Sequence, residues 1–206
     1  MTSLQYWEHQ FEQRALPHSE QNYQIGLDFL KKSNLEFNKL IANSNSIIEI
    51  GCGTGELSYI ISQKFSKKIL GTDLSQSAIN YANKNYANDL VKFEEFNILS
   101  SEISQSYDLA ICSNVLEHFK NPFIIIDKIL LKCKSLIILV PYNQPNIDGF
   151  EYEGGAGHVF QFTQDSFSKY KVIDSFIFQT NGWQHSSNGE TPLQLAIALN
   201  NRSSND

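Results

Sequence analysis

The chain has 206 residues, 41% of them hydrophobic, which is enough to bury one ordinary core, so a single domain over 1–206 is expected. Sixteen Lys and Arg stand against 22 Asp and Glu, a net charge of −6. That balance excludes any general attraction to nucleic-acid backbones or anionic membranes. The three cysteines, Cys52, Cys112 and Cys133, lack paired metal-type spacing and are odd in number; a reduced, cytoplasmic protein is expected.

The opening "MTSLQYWEHQFEQR" lacks the apolar core of a secretory signal. No apolar run reaches membrane-spanning length. Residues 1–45 read as helical decoration, with "QNYQIGLDFLKKSNLEFNKLI" (21–41) as one long helix. Tyr6 and Trp7 suit either a packed core or a helix folded over a ligand. From residue 46 onwards strand-like and helix-like runs alternate up to 141. The strand candidates are "SIIEI" (46–50), "KKILGTD" (67–73), "LVKFEEF" (90–96), "YDLAIC" (107–112) and "SLIILVP" (135–141). Helices are expected in "GELSYIISQKF", in "SQSAINYANKNY" with Ser75 as N-cap, and in "NPFIIIDKILLKC" with Asn121 as cap and Pro122 in the first turn. Alternation of this kind predicts a parallel sheet with helices on both faces. "KVIDSFIFQ" and "LQLAIALN" follow with only a polar loop between them and predict an antiparallel hairpin at the sheet edge. The tail "NNRSSND" is expected to fray. The segment 142–162, "YNQPNIDGFEYEGGAGHVFQF", is long, Gly-rich and aromatic, the composition of a lid over a site.

Ligands of open parallel sheets bind at the carboxyl ends of the strands. Gly51-Cys52-Gly53-Thr54-Gly55 lies there, after the first strand. The dinucleotide fingerprint needs a further glycine where Glu56 stands, and the phosphate loop needs Gly-Lys-Ser/Thr, which is absent. Glu49, two residues before the first glycine, suits an ammonium group better than a pyrophosphate. Asp73 ends the second strand, where a carboxylate accepts ribose hydroxyls. The site asks for a ribose and a cationic group, without phosphate.

These residues resemble the class I S-adenosylmethionine-dependent methyltransferases. "IIEIGCGTGELS" is similar to their first motif, "GTDLS" to their ribose-binding acid, "YDLAICSNVLEHFKNP" to their fourth-strand motif and "LIILVPYNQ" to their fifth strand. The resemblance covers roughly 46–200 and implies a three-layer α/β/α sandwich whose seven-stranded, mostly parallel sheet ends in the antiparallel hairpin. It also implies S-adenosylmethionine as cofactor. In that family Gly51 and Gly53 let the backbone approach the methionine part, Asp73 holds the ribose and Leu74 faces the adenine. Asn97 stands where the family often has Asp and can still accept from the adenine amino group. Glu49, Cys52, Gly55, Ile98 and Ser113 complete the implied cofactor site. The bland reading of Cys52 is a small packed residue, since nothing near it in sequence would lower its pKa.

The acceptor side lies beyond the fourth and fifth strands, with Asn114, Glu117, His118, His158 and His185 as its polar candidates; His118 and His158 are the catalytic choices. The C-terminal half also resembles the small-RNA 3′-terminal 2′-O-methyltransferases, in "VLEHF…VP…GHVFQFTQDSF". In those enzymes an acid, a Glu-His pair and a later His hold magnesium. The matching positions are Asn114, Glu117, His118 and His158, and the spacing of the first three suits one face of a helical turn. Asn114 in place of a carboxylate leaves Glu117 as the one acidic ligand of a candidate metal set with His118 and His158, which moves the preference towards a histidine-binding metal. The "HxFxFT" pattern also occurs in class I enzymes without metal. An RNA acceptor is disfavoured by the charge: "KFSKK" (64–68) is the single tight basic cluster and belongs to the opposite edge. The expected acceptor is therefore a hydroxyl on a small molecule or glycan. A non-catalytic, cofactor-binding partner subunit is the alternative from another class.

Overall fold

The computed structural model describes residues 3–144, 157–181 and 192–201. Five parallel strands, β1 (Ile47–Ile50), β2 (Ile69–Asp73), β3 (Val91–Glu95), β4 (Tyr107–Ser113) and β5 (Cys133–Pro141), are followed by β6 (Lys171–Gln179) and β7 (Leu193–Asn200). They form one sheet in the order β3-β2-β1-β4-β5-β7-β6. β7 runs antiparallel to both β5 and β6, so the expected edge hairpin is present. β1 is flanked by β2 on one side and β4 on the other. Strand order therefore reverses at β1, which opens a crevice at the carboxyl ends of β1 and β4.

The helices are α1 (Ser3–Lys32), α2 (Leu35–Asn43), α3 (Glu56–Phe65), α4 (Gln76–Asn85) and α5 (Pro122–Leu130). Successive residues of β4 serve opposite faces, as the pleat requires. Ala110 and Cys112 pack with Ile125, Ile126 and Ile129 of α5. Leu109 and Ile111 pack with Phe29 of α1, Phe37 of α2 and Ile61 of α3. Both faces are thus covered, which explains why β1, β4 and β5 read as apolar runs rather than as alternating strands.

Several boundaries differ from expectation. The long helix over 21–41 is two helices. Ser33 N donates to Phe29 O to close α1, and the Asn34 side chain accepts from Glu36 N and Phe37 N to start α2. The break lets Phe29 and Phe37 meet edge to face, 5.9 Å between ring centres. Ser75 caps α4 as expected, accepting from Ala78 N, whereas Asn121 makes no side-chain cap to α5. Cys133 belongs to β5 and not to the preceding helix. β7 ends at Asn200 as expected, pairing with Ser135 and Lys171; Asn201, placed in the fraying tail, is held by its N–H donating to Lys134 O.

α1 also bends. Arg14 has φ −135° and ψ 24° inside it. Pro17 lies three residues on; its ring crowds the carbonyl of residue 13 and it has no N–H to donate there. The bend turns the first ten residues of α1 across the crevice.

Candidate active site

The turn after β1 is pinned from β2: Gly51 N and Cys52 N both donate to Thr72 O, at 2.7 and 2.9 Å. Gly51 has φ +72°, and a Cβ there would lie 2.3 Å from Val115 Cγ2. Gly53 has φ +52° and faces α1, with Asn22 Nδ2 3.3 Å from where its Cβ would stand. Only glycine allows this path and this close approach. Asp73 closes the arrangement. Its Oδ2 accepts from Gly53 N at 2.8 Å and its Oδ1 from Ser75 N at 2.9 Å. The carboxylate plane is thereby fixed, and each oxygen keeps a second lone pair for a ligand hydroxyl. Burial raises the Asp73 pKa despite these bonds.

These groups line one cleft with about 890 Å³ of empty space, mouth included. Gly51, Gly53, Asp73, Leu74, Ile98 and Ser113 of the expected cofactor set all border it. Glu49 and Cys52 border a smaller cavity of about 290 Å³ behind the glycine turn, which shares Asn22, Gly51 and Ser113 with the main cleft. Glu49 is buried there and accepts from Ser58 Oγ at 2.5 Å. Burial, with Glu56 and Asp73 nearby, raises its pKa to about 8. Burial also raises the Cys52 thiol well above its usual value, in keeping with a packed residue. Gly55 starts α3 and does not border either cavity. Asn97 stands aside from the cleft: its Oδ1 accepts from Leu99 N at 2.9 Å in a local turn, and the neighbours Ile98 and Leu99 supply the lining.

At the other end of the cleft the chain turns sharply after β4. Asn114 has φ +51°, so it does not share a helical face with Glu117 and His118, which sit in the short 3-10 turn Leu116–His118. Glu117 and His118 still come together with His158; Asn114 and His118 border the cleft, and Glu117 and His158 stand behind its lining. Glu117 O accepts from Val159 N and Phe160 N, at 2.8 and 3.1 Å, and Tyr142 pairs with Phe162. The two described ends of the 142–162 segment are thus stapled beside the site; its interior, with Phe150 and Tyr152, and the candidate His185 lie outside the described residues. The His118 and His158 rings meet at 5.3 Å. His118 Nδ1 lies 3.1 Å from Gly157 O, and His158 Nδ1 lies 2.9 Å from Gln144 Oε1. His118 Nδ1 faces a backbone carbonyl, so it carries the proton and leaves the lone pair on Nε2; the Gln144 amide can turn to serve either tautomer of His158.

Glu117, His118 and His158 offer ligand atoms within 4.8 Å of one another. Both carboxylate oxygens of Glu117 and the amide oxygen of Asn114 are buried without a hydrogen-bond partner among the described residues. Burial raises the Glu117 pKa to about 8. A cation would supply what these oxygens lack, so the donor set fits a divalent metal of the kind that accepts both imidazole and carboxylate.

The reading from sequence missed most of α1. Trp7, Phe11, His18 and Asn22 all border the cleft, and Trp7 meets the His118 ring edge-on at 5.0 Å. Glu8 fastens this helix, accepting from Ser75 Oγ at 2.7 Å and Ser77 Oγ at 2.6 Å. The steps of 4, 7 and 4 residues between these α1 residues are a helix-face signal in the sequence, but not one that says what the face covers.

A family described as "Methyltransferase domain" matches residues 41–174. The chain belongs to the class I S-adenosylmethionine-dependent methyltransferases. A mitochondrial ubiquinone biosynthesis O-methyltransferase of Dictyostelium discoideum is 27% identical over 160 residues, 68% of this chain and 50% of that one. A malonyl-[acyl-carrier protein] O-methyltransferase of Priestia megaterium is 35% identical over 99 residues, 48% of this chain and 35% of that one. The chain spans about half or less of the length of these curated relatives. In structure it is similar to the magnesium protoporphyrin IX methyltransferase of Synechocystis PCC 6803 with bound S-adenosylhomocysteine, with a TM-score of 0.61 and 15% identity over 90% of this chain and 84% of that one. Among the described residues no helix is long and apolar enough to cross a membrane.

Proposed function

We propose that this chain methylates a hydroxyl of a small molecule or sugar, with S-adenosylmethionine as the donor. The observation that carries the reading is one continuous cleft running from Gly51, Gly53 and Asp73 to His118. Bound there, the cofactor supplies a methyl group on a sulfonium, already activated for displacement. The residues of the chain have three tasks. Asp73 holds the ribose end and the glycine turn admits the amino-acid end. Trp7 and Phe11 cover the cleft and keep water out. His118, with its lone pair on Nε2, takes the proton of the acceptor hydroxyl, and His158 supports or replaces it. Such alignment of partners is the greater part of catalysis for an activated donor. The names of the two O-methyltransferase relatives agree with an oxygen acceptor.

A second reading is favoured by the orphaned Glu117 carboxylate: a divalent metal held by Glu117, His118 and His158. A bound ion would acidify the acceptor hydroxyl. In that case the two imidazoles are ligands through Nε2, and Gly157 O and Gln144 orient them. An RNA acceptor remains disfavoured by the net charge of −6.

The experiment is turnover of methyl-labelled S-adenosylmethionine with separate metabolite, glycan and RNA pools, each with and without a chelator. Label in the metabolite or glycan pool is expected. Loss of that label with chelator selects the metal reading, and label in RNA alone overturns the acceptor assignment. Stabilisation by the cofactor with no turnover on any pool would instead mark a non-catalytic partner subunit.

A further inference from the structure

An amino-acid group entering the cleft brings a carboxylate as well as an ammonium. Glu49, in the small cavity behind the glycine turn, is placed for the ammonium. In the glycine turn, Thr54 borders neither cavity. The N–H groups of Gly51, Cys52, Gly53 and Gly55 already donate inside the protein, to Thr72 O, Thr72 O, Asp73 Oδ2 and Cys52 O. Among the described residues no lysine or arginine borders either cavity; the remaining residues hold one, Arg202, and it follows Asn201, whose N–H donates to Lys134 O at the start of β5, away from the carboxyl ends of the strands.

Ser113 and Asn114, after β4, bond to each other, Asn114 Nδ2 to Ser113 Oγ at 3.2 Å; the donors on the side of the cleft facing them come from α1. His18 and Asn22 are one turn apart on the same face and both border the main cleft. His18 packs its ring on Phe11, 5.2 Å between centres. Its Nε2 is buried and has no hydrogen-bond partner among the described residues. Asn22 Nδ2 lies against Gly53 and also borders the small cavity that holds Glu49. A buried ring nitrogen without a partner is costly unless a ligand completes it.

We infer that His18 and Asn22 form the carboxylate receptor of this cleft, donating from Nε2 and Nδ2 to the α-carboxylate of the cofactor's amino-acid end. This rests on the reading of the cleft as an S-adenosylmethionine site. It makes the receptor bipolar: Glu49 on the sheet takes the ammonium, and α1 takes the carboxylate. Closing α1 over the cleft and recognising the amino acid are then one event, because the same helix face does both.

The test is calorimetric titration with two probes, S-adenosylhomocysteine and its decarboxylated analogue, which keeps the ammonium and lacks the carboxylate. The wild-type protein should bind the first about 10-fold or more tightly than the second. His18→Ala should lose about 10-fold for S-adenosylhomocysteine and bind the analogue as before, so that most of the preference disappears. Asn22→Ala should lose part of it. His18→Gln, which keeps a donor, should retain much of it and guards against a folding defect in His18→Ala. The receptor is overturned if His18→Ala weakens both probes equally, or neither; the cofactor reading then stands. If the wild-type protein binds neither probe, the cofactor reading itself fails and the receptor with it.

Discussion

The two ends of the cleft are built in different ways. The floor of the cofactor end comes from one continuous stretch, β1 to β2, held by short backbone bonds: Thr72 O to the glycine turn, and Asp73 to Gly53 N and Ser75 N; α1 and the residues after β3 and β4 supply its walls. The acceptor end is assembled from three distant segments: Trp7 of α1, Glu117 and His118 after β4, and His158 after β5. In the first, the polar groups of the floor are satisfied within the protein, and the orphan is His18 Nε2 on the α1 wall. The second leaves buried oxygens of Asn114 and Glu117 without partners. On the proposed reading, the floor of the first end fits one fixed ligand, and the orphaned groups at both ends are completed by what binds.

The largest effect should separate the ends by kinetics. His118→Ala and His158→Ala should each lower turnover by about 100-fold or more, the usual scale for a lost general base, with little change in cofactor affinity. Turnover and calorimetry on the same preparations give both numbers. Normal turnover in both variants would make the histidines structural.

This contrast also explains what the sequence disclosed. The glycine turn, Asp73 and the strand order are local or periodic features, and each has its own signal. Ser75 as a cap and the β6–β7 hairpin fall in the same class. The break at Ser33–Asn34 carried only the signal of Asn34, a capping residue inside an otherwise continuous helical pattern. The role of α1 was not legible for another reason. Its apolar face looks the same whether it covers a core or a cleft, and only the bend at Arg14 and the Glu8 contacts with Ser75 and Ser77 decide which. The approach of His158 to His118 depends likewise on Glu117 O binding the returning chain. Asn97 shows a local use beside the expected one: its amide oxygen accepts from Leu99 N in a turn, which no motif announced.

Next in size is the glycine turn. Gly51→Ala puts a Cβ 2.3 Å from Val115 Cγ2 at φ +72°. Backbone strain of about 1–2 kcal/mol alone should lower the melting temperature by about 2–8 °C, and the contact with Val115 adds to it. A thermal melt checks this; an unchanged midpoint would mean that the turn adapts.

A smaller effect links Glu49 to pH. Its folded pKa is raised from 4.5 to about 8, first by burial. The folded ligand-free protein therefore holds a proton that the unfolded chain releases near the ordinary carboxylate value. Stability is fully present below that value and is lost progressively as pH rises to about 8. Glu49→Gln should remove this loss, so its melting temperature should exceed that of the wild type at pH 8 and match it near pH 4. The same variant should bind the cofactor less tightly, because the ammonium loses its partner. Equal melts at both pH values would show that Glu49 is not buried as a neutral acid.

The smallest effect concerns the fastening of α1. Glu8→Ala removes a carboxylate from Ser75, Ser77 and the N-terminus of α4. Charge at a helix N-terminus is worth about 0.3–1 kcal/mol, so cofactor affinity should fall by about 2- to 5-fold. Calorimetry resolves a change of that size.

The central claim is that this cleft holds S-adenosylmethionine by its ribose on Asp73. Titration of S-adenosylhomocysteine into the wild-type and Asp73→Ala proteins tests it most directly. A charged acceptor worth about 1.5–3 kcal/mol is removed, so affinity should fall by about 10- to 150-fold. Equal affinity in the two proteins would contradict the account, for the ribose would then be held elsewhere.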